Sequence, residues 1–393
     1  MQSATLLRKL ELLMAVFAII AGLVIATFYT SDIRMPIPFT SRVHHGFPVP
    51  PAGKIHYGVQ LNHGFDDITG YAQRLGSAPA LYGRYSNFPL SAEDQESIAA
   101  DVDELAPRGA SMMLTLDPRE GLTTVTPQAL QDLTENLIDW NRQGVPVLVR
   151  FGHEMNGPWY AWGQKPALYI EKFRQVADAV HEAPSSAMLW SPNEGSGYPF
   201  HPGEPYAAKA GSADARALDT DDDGKVTERD DPYAPYWPGE DVVDWVGLTV
   251  YHYGEVHPWG RNTVPEPGKL AAKIDGTFKS AHVDDTDVPD FYAEYAEKYE
   301  KPFAISETGA FFNTSRSDGA SGLAIKREWW EQLFEPELQE RFPRLQLAAW
   351  FEHSKVEMQP GNPVIDWRTT ADPVTREPFV DAIPEHFNMA PLK

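Results

Sequence analysis

The stretch RFGHEMNGPWYAWG, residues 150–163, places a glutamate at the end of an apolar run. The run begins with PVLV at 146–149, and Glu154 stands where it gives way to Asn, Gly and aromatic residues. A short apolar run bounded by turn residues is typical of a buried β-strand. The stretch therefore predicts a strand over 146–154 that presents Glu154 at its carboxyl end.

Similar apolar runs alternate with longer amphipathic segments along most of the chain. Strands are predicted over 56–62, 80–88, 111–117, 146–154, 187–193, 243–253, 302–307 and 345–353. Helices are predicted over 91–106, 127–143, 166–182, 289–299 and 322–338, several of them beginning at Ser or Pro. Eight such units predict parallel strands, and eight parallel strands close a barrel. The predicted fold class is therefore α/β, a (β/α)8 TIM barrel.

Composition narrows the classes of protein that the chain can belong to. The formal net charge of -23 is spread along all 393 residues, which opposes binding to nucleic acid. The absence of cysteine excludes disulfides, zinc-thiolate sites and thiol nucleophiles. Hydrophobic residues make up 42% of the chain, enough for a large core.

The N-terminal segment has a different composition. Residues 12–29 form an apolar run of 18 residues preceded by Arg8 and Lys9. This pattern predicts an uncleaved signal anchor, a transmembrane helix with residues 1–11 in the cytosol and the rest outside. The alternative is a cleaved signal peptide, and both would export the remainder. The proline-rich residues 30–53 are predicted to be a linker, and 54–393 the barrel domain.

Two glutamates stand at predicted strand ends on opposite sides of the ring. Glu154 follows the fourth strand and Glu307 ends the seventh, 153 positions later (307 minus 154). Sites of such barrels lie at the carboxyl ends of the strands, so the two carboxylates can face one pocket. Facing carboxylates are what cleavage of a glycosidic bond requires. A single glutamate there would equally suit a buried salt bridge, whereas the pair favours catalysis.

Other features of these strand ends agree with a sugar substrate. HEMNG lacks the second His of a zinc-binding HExxH helix and follows a strand, which argues against a metalloprotease. Sugar rings have apolar faces that stack on aromatic side chains. Aromatic residues cluster at the strand ends, namely Trp159, Tyr160, Trp162, Tyr251, Tyr253 and Trp350.

The segments RFGHEMNGPWYAWG, PFAISETGA, VDWVGLTVYHYG and AAWFEH together resemble glycoside hydrolase family 26. This is the β-mannanase family of the clan whose catalytic residues lie on barrel strands four and seven, and the resemblance spans residues 55–367. It implies that Glu154 is the general acid/base and Glu307 the nucleophile of a retaining mechanism. It further implies a set of substrate-binding residues comprising Arg150, His153, Asn156, Trp159, Trp162, Tyr251 and Trp350.

Some of these residues receive a more specific role. Tyr251 is expected to hydrogen-bond the nucleophile, and Trp159 and Trp350 to stack on sugar. Arg150 shares a strand face with Glu154 and is expected to keep Glu307 ionised. The chain departs from the family at the third strand, which ends in Leu-Asp117-Pro where mannanases tend to have His or aromatic residues. This departure bears on the mannan assignment more than on hydrolysis.

An irregular segment over 194–242 separates the fifth and sixth strands and contains an acidic repeat. Oxygen ligands at positions 1, 3 and 5 with Gly224 at position 6 match the start of an EF-hand loop. The predicted ligands of one structural Ca²⁺ are Asp219, Asp221, Asp223, the Lys225 carbonyl and Asp230. The alternative is a solvated acidic loop without an ion.

The sequence therefore predicts a monomeric glycoside hydrolase, without a catalytic cofactor, that acts on a β-linked polysaccharide. Endo-β-1,4-mannan is the leading substrate, with β-glucan or β-1,3-xylan as alternatives. A barrel that binds carbohydrate without cleaving it is the alternative from another functional class. The expected location is the extracellular face of the membrane, or the medium if the anchor is cleaved.

Overall fold

The computed structural model describes residues 46–200, 203–257, 259–357, 359 and 361–390. The predicted cytosolic segment and membrane anchor, and most of the predicted linker, lie outside these residues. Within them, no helix is long and apolar enough to cross a membrane.

Eight parallel strands form a closed barrel. Each strand pairs with the next in chain order, and β8 pairs with β1, so that the ring closes. The strands are β1 (Ile55–Leu61), β2 (Leu81–Asn87), β3 (Ser111–Asp117), β4 (Val147–Phe151), β5 (Ser186–Trp190), β6 (Trp245–His252), β7 (Phe303–Ala310) and β8 (Leu345–Glu352). The predicted TIM barrel is confirmed, and all eight predicted strands occur. β4 ends at Phe151 rather than at 154, so Glu154 lies in the loop that follows.

Three short strands are added to the barrel. β9 (Ser354–Val356) and β10 (Val364–Asp366) form an antiparallel hairpin directly after β8. β11 (Phe387–Asn388) pairs in parallel with the start of β1. The hairpin therefore stands at the carboxyl end of the barrel, and β11 at the opposite end.

Helices cover the outside of the barrel. They are α1 (Ile68–Leu75), α2 (Ala92–Leu105), α3 (Pro127–Arg142), α4 (Pro166–His181), α5 (Ala213–Leu218), α6 (Lys269–Ile274), α7 (Gly322–Phe334), α8 (Pro336–Arg341) and α9 (Pro373–Ala382). Short 3-10 turns occupy Ala106–Arg108, Leu122–Thr124 and Ala234–Tyr236, and Tyr292–Glu297 is a π-helix. The helix predicted over 322–338 is divided because Pro336 supplies no backbone N–H.

Local sequence explains where the main helices begin. Ser91 and Asp94 form a reciprocal capping box at the start of α2. Thr126 caps α3, and Pro127 follows at the first helical position. These residues satisfy N–H groups that the first helical turn leaves unpaired. These capping residues therefore allow the helix starts at 92 and 127 to be predicted from sequence.

The inside of the barrel is apolar towards the strand starts. One buried cluster fills it, comprising Phe47, Leu81, Met113, Leu148, Ala187, Leu189, Trp245, Ala304, Leu347 and Ala349. Phe47 packs edge-on against Trp245 with ring centroids 5.8 Å apart, although residues up to 53 were predicted to be linker. The packed domain therefore begins at least as early as Phe47. Polar side chains occupy the other end of the barrel, towards the strand exits.

Candidate active site

The backbone turns sharply after β4. Gly152 and Glu154 both have a φ of 52°, in the left-handed region. Glycine adopts this conformation freely, whereas a glutamate pays about 1–3 kcal/mol for it. The amide of Glu154 donates a hydrogen bond of 2.9 Å to the carbonyl of Ser191, just beyond β5. The strained turn thus fixes Glu154 at the mouth of the barrel, where it interacts electrostatically with Glu307.

Glu307 lies at an irregularity of β7. The pairing with β6 runs from Leu248 opposite Ile305 to Thr249 opposite Glu307, which leaves Ser306 as an extra residue. The register with β8 shifts over the same residues. A bulge of this kind changes the direction of the side chains around it and is common beside active sites. The bulge brings Glu307 to face the barrel interior next to Arg150.

Three side chains donate hydrogen bonds to the Glu307 carboxylate. Tyr251 Oη donates to Oε1 at 2.6 Å. Tyr85 Oη and Arg150 Nη1 donate to Oε2 at 2.5 and 2.6 Å. Burial alone would raise the pKa of Glu307, but the Arg150 charge, His153 and the two tyrosine hydroxyls together lower it to about 2. Glu307 is therefore ionised throughout the neutral range.

Arg150 is fully buried and has a partner for each nitrogen of its fork. Besides Glu307, it donates from Nη2 to Thr249 Oγ1 at 2.6 Å and from Nε to Ser191 Oγ at 3.2 Å. Its relative exposure is 0%, so it cannot touch a substrate. The prediction that Arg150 binds substrate is therefore wrong, whereas its contact with Glu307 agrees with the positioning role that was also expected.

Glu154 has the opposite environment. Burial raises the pKa of Glu154, and the negative charge of Glu307 raises it further, against the lowering effects of His153 and Arg150. Among the described residues, its one side-chain donor is Trp159 Nε1, at 2.9 Å from Oε2. A carboxyl group in such surroundings holds a proton more readily than Glu307 does. The two carboxyl groups thus differ in the way that proton donation and nucleophilic attack demand.

His153 lies beside the two glutamates, between an aspartate and two tyrosine rings. Its Nδ1 lies 3.3 Å from Asp117 Oδ1 at the end of β3, without forming a hydrogen bond to it. Tyr160 packs against the ring at 5.0 Å and Tyr85 at 5.7 Å. Asp117 is the residue at which the chain departs from the mannanase pattern, and its carboxylate lies next to the imidazole. The 3% exposure of His153 leaves only an edge of the ring for a substrate.

Residues 115–216 match the model of glycosyl hydrolase family 26. The matched range holds β4 and the motif with His153 and Glu154. Over these residues the chain is similar to glycoside hydrolase family 26. The resemblance that the sequence motifs predicted is confirmed.

Solved structures similar to this barrel include an endo-β-1,4-mannanase from Cellulomonas fimi. A double mutant of that enzyme aligns with a TM-score of 0.53 and 15% identity over 86% of this chain and 73% of the mannanase. A modular endo-β-1,4-mannanase from the same organism gives a TM-score of 0.52 and 15% identity over 87% and 73% of the two chains. At these identities the similarity establishes the fold.

A curated relative is similar over part of its length. Endoglucanase H of Acetivibrio thermocellus is 20% identical over 290 residues, which cover 72% of this chain and 25% of the relative. The chain therefore spans about a quarter of the length of that relative.

Three residues predicted to bind substrate are almost fully buried. Trp350 is 0% exposed, packs on Phe379 and donates from Nε1 to the Trp367 carbonyl. Trp162 donates to the His153 carbonyl and is 1% exposed. Asn156 is 0% exposed and exchanges two hydrogen bonds with the backbone of Asn193. These three predictions are wrong, because the side chains stabilise the loops and walls instead.

Trp159 and Tyr251 lie at the site, as predicted. Trp159 is half-buried, holds Glu154 and packs on Phe200 with centroids 4.9 Å apart. Tyr251 reaches Glu307 and belongs to an aromatic wall beside it. The wall consists of Tyr251, Phe311, Phe351, Ile365 and Trp367, with Tyr85 and Tyr253 packed against it.

Sequence analysis missed Tyr85. It lies within β2 rather than after it, and only strand ends were searched for polar groups. The signal was the alternation along β2, since Leu81 points into the barrel and Tyr85 follows it by four residues on the same face. Leu148 and Arg150 are related in the same way, because they lie two residues apart on one face of β4.

The acidic loop brings three of its predicted ligands together. Oxygen atoms of Asp219, Asp221 and Asp223 lie within 4.8 Å of one another. Asp230 is not part of this group, because its carboxylate accepts backbone N–H bonds from Thr220, Asp221 and Thr227. Lys225 is exposed, and its amide donates to Asp223 at 3.0 Å. The three aspartates can bind a hard cation, while Asp230 instead closes the loop.

A guanidinium group competes for the same carboxylates. Arg229 Nη2 lies 2.6 Å from Asp223 Oδ2, and its Nε lies 3.6 Å from Asp221 Oδ2. It provides positive charge where a cation would otherwise be needed. A bound ion would have to share these two aspartates with Arg229 or displace it.

Proposed function

We propose that the chain hydrolyses a β-linked polysaccharide with retention of anomeric configuration. The observation that carries the proposal is the contrast between the two carboxyl groups at the barrel mouth. Glu307 is held ionised by Arg150, Tyr85 and Tyr251. Glu154 is buried with one side-chain donor and has a raised pKa.

These states suit the two steps of a double displacement. Glu307 attacks the anomeric carbon while the glycosidic C–O bond breaks, and Glu154 gives its proton to the departing oxygen. Water then attacks the glycosyl ester, and Glu154 accepts a proton from it. The ester bond breaks, the sugar leaves with a hydroxyl at the anomeric carbon, and the Glu307 carboxylate is restored. Arg150, which is buried, holds Glu307 in place and contacts no sugar.

We propose endo-β-1,4-mannan as the leading substrate. The support is the match of residues 115–216 to the family 26 model and the similarity of the barrel to a mannanase fold. Tyr85, Trp159 and Tyr253, which are half-buried, provide aromatic faces for sugar rings. Asp117 at the end of β3 distinguishes this cleft from the mannanase pattern, so mannan must be tested against other polymers.

A second candidate is a β-1,4- or mixed-linkage β-glucan. The partial similarity to Endoglucanase H, whose name denotes action on glucan, favours it over β-1,3-xylan. Loop residues set specificity on such barrels while the glutamates stay the same. A barrel that binds without cleaving is less favoured, since binding alone needs no pair of carboxyl groups in opposite states.

The proposed function is tested by incubating the purified chain with mannan, β-glucan and β-1,3-xylan. We expect new reducing ends from one polymer, mainly mannan, and a first-formed β-anomer by NMR. The double variant Glu154→Gln/Glu307→Gln, purified identically, controls for contaminating enzymes. No hydrolysis of any polymer, or equal hydrolysis by the double variant, would refute the proposal.

We propose that the catalytic domain is a monomer on the outer face of the membrane, held by residues 12–29. The apolar run and the two basic residues before it support this location. Fractionation of cells should recover the full-length chain in the membrane pellet. A mature chain that starts after Thr30 would show cleavage and secretion instead.

We also propose that the acidic loop binds one structural Ca²⁺ through Asp219, Asp221 and Asp223. The match to the start of an EF-hand loop and the closeness of the three carboxylates support it. The melting temperature should rise with added calcium and fall with chelator, and Asp221→Asn should abolish the difference. An unchanged melting temperature would show that Arg229 alone balances the loop.

A further inference from the structure

A cavity of about 440 Å³ opens at the exits of β1 and β8. Its lining comprises Asn62, Phe65, Asp66, Arg74, Glu352, Ser354, Arg368 and Ala371. Phe65, in the loop between β1 and α1, is 91% exposed, an unusual position for a large apolar ring. The proposed mechanism uses none of these residues.

A chain of contacts connects the cavity wall with the nucleophile. Glu352 and Ser354, which line the cavity, flank His353 in the chain. The His353 ring packs edge-on against Tyr85 with centroids 6.1 Å apart. Tyr85 in turn donates to Glu307. The segment 352–354 therefore contributes both to the cavity wall and to the surroundings of the nucleophile.

The arrangement of the glutamates tells which part of the substrate would extend this way. Glu154 protonates the departing oxygen, so the leaving group lies towards β4. In a ring of eight strands, β4 is opposite β8. The sugars on the other side of the cleaved bond, the glycone, must run away from Glu154. They would therefore pass over β8 and β1, where the cavity is.

The lining suits an uncharged sugar. Its charges are already paired, since Arg74 bonds Asp66 and Arg368 bonds Asp366. The Glu352 carboxylate accepts four hydrogen bonds from Thr369 and Thr370. No charge is left over to attract an acidic group.

Polar and apolar groups remain for a neutral ligand. The side chains of Asn62 and Ser354 make no hydrogen bond to any other described residue, so they can bind hydroxyl groups. The exposed ring of Phe65 provides a flat apolar face. Amide, hydroxyl and aromatic groups together are what binds a hexose unit.

We propose that this cavity is a distal glycone subsite in which Phe65 stacks on an uncharged sugar of the substrate. The proposal rests on the hydrolytic function proposed above. It implies that several sugars bind on the glycone side of the bond that is cleaved. Phe65 thereby determines how strongly the rate depends on glycone length.

The test keeps the leaving group constant and varies the glycone. The substrates are 4-nitrophenyl β-glycosides of one to five sugars, in the manno or gluco series according to the polymer that is cleaved. For the wild type, kcat/KM should rise with each added sugar until the cavity is filled. Phe65→Ala should lower kcat/KM about three- to tenfold for the long substrates and leave the shortest unchanged.

Matched variants separate stacking from general damage. Phe65→Trp should restore the length dependence, and Asn62→Ala should weaken it. Val374→Ala removes another strongly exposed apolar side chain, 65% exposed and outside the cavity, and should change nothing. Equal melting temperatures would show that all four variants are folded.

The possible outcomes separate failure of the subsite proposal from failure of the proposed hydrolytic function. A wild-type enzyme that hydrolyses the series, with a length dependence that Phe65→Ala leaves intact, would overturn the subsite alone. A wild type that cleaves neither the polymers nor the glycosides would overturn both proposals. Loss of length dependence in Phe65→Ala, with rescue by Trp, would establish the subsite.

Discussion

The loop after β4 and the bulge in β7 each present one glutamate. The two glutamates have opposite surroundings. Glu307 accepts hydrogen bonds from Arg150, Tyr85 and Tyr251, on a strand distorted by a bulge. Glu154 itself has a left-handed backbone conformation. Among the described residues, its carboxyl group accepts one side-chain hydrogen bond, from Trp159. The comparison teaches that neighbours, rather than the side chain itself, make one carboxyl group a nucleophile and the other an acid.

Removing each carboxyl group should have the largest effect and should separate the two roles. Glu307→Gln should lower kcat/KM by at least about 10³-fold on every substrate, because no nucleophile remains. Glu154→Gln should lose about 10²- to 10⁴-fold on polysaccharide. With a 2,4-dinitrophenyl glycoside, which departs without a proton, it should keep a fast first step. Pre-steady-state release of dinitrophenol measures this, and identical behaviour of the two variants would contradict the assignment.

Replacing the buried cation tests how Glu307 is kept ionised. Arg150→Met leaves Glu307 buried without its cation, so the free energy of unfolding should fall by about 3–5 kcal/mol and activity should be lost. Arg174→Met is the matched control, since Arg174 pairs with Asp241 at the surface. Its loss should be about 0–1 kcal/mol. Urea unfolding measures both, and equal losses would argue against a special role of the buried pair.

The tyrosine donors should set the acid side of the pH profile. The pKa of Glu307 is about 2, and the group reacts in its ionised form, so kcat/KM falls as pH drops through that value. Tyr251→Phe removes a donor to the carboxylate, which raises its pKa and moves the acid limb upward by about one pH unit. Tyr85→Phe should do the same through the other oxygen. An acid limb that stays in place in both variants would show that another group controls it.

The smallest effect is expected from removing the hydrogen bond that Trp159 donates to Glu154. The indole N–H of Trp159 stabilises the ionised carboxylate, and Trp159→Phe keeps a ring but loses that bond. The pKa of Glu154 should rise, so the alkaline limb of kcat/KM should move to higher pH by about half a unit to one unit. A shift to lower pH would reverse the assigned direction. Tyr206→Phe, which alters an exposed ring on a segment bonded to the Pro158 carbonyl, serves as the control for handling and assay.

The residues that sequence analysis found share one property. Glu154, Glu307 and Tyr251 lie at or next to the ends of the predicted strands, and such ends follow from local patterns of apolar and turn residues. Tyr85 was missed because it lies inside its predicted strand, 80–88. Trp350 was assigned wrongly because an aromatic residue at a strand end can face the cleft or the surrounding helices. Local sequence does not specify that direction where strands are irregular.

The sequence by itself determined the eight-stranded barrel and the pairing of Glu154 with Glu307 across it, because periodicity and strand order are local properties of the chain. Only the tertiary structure decided that Arg150 is buried against Glu307, that Trp350 lies outside the cleft, and that a cavity opens beside Phe65. A pKa or a cavity depends on distances between residues far apart in sequence. Arg150 and Glu307 are 157 positions apart, yet 2.6 Å separates their charged atoms.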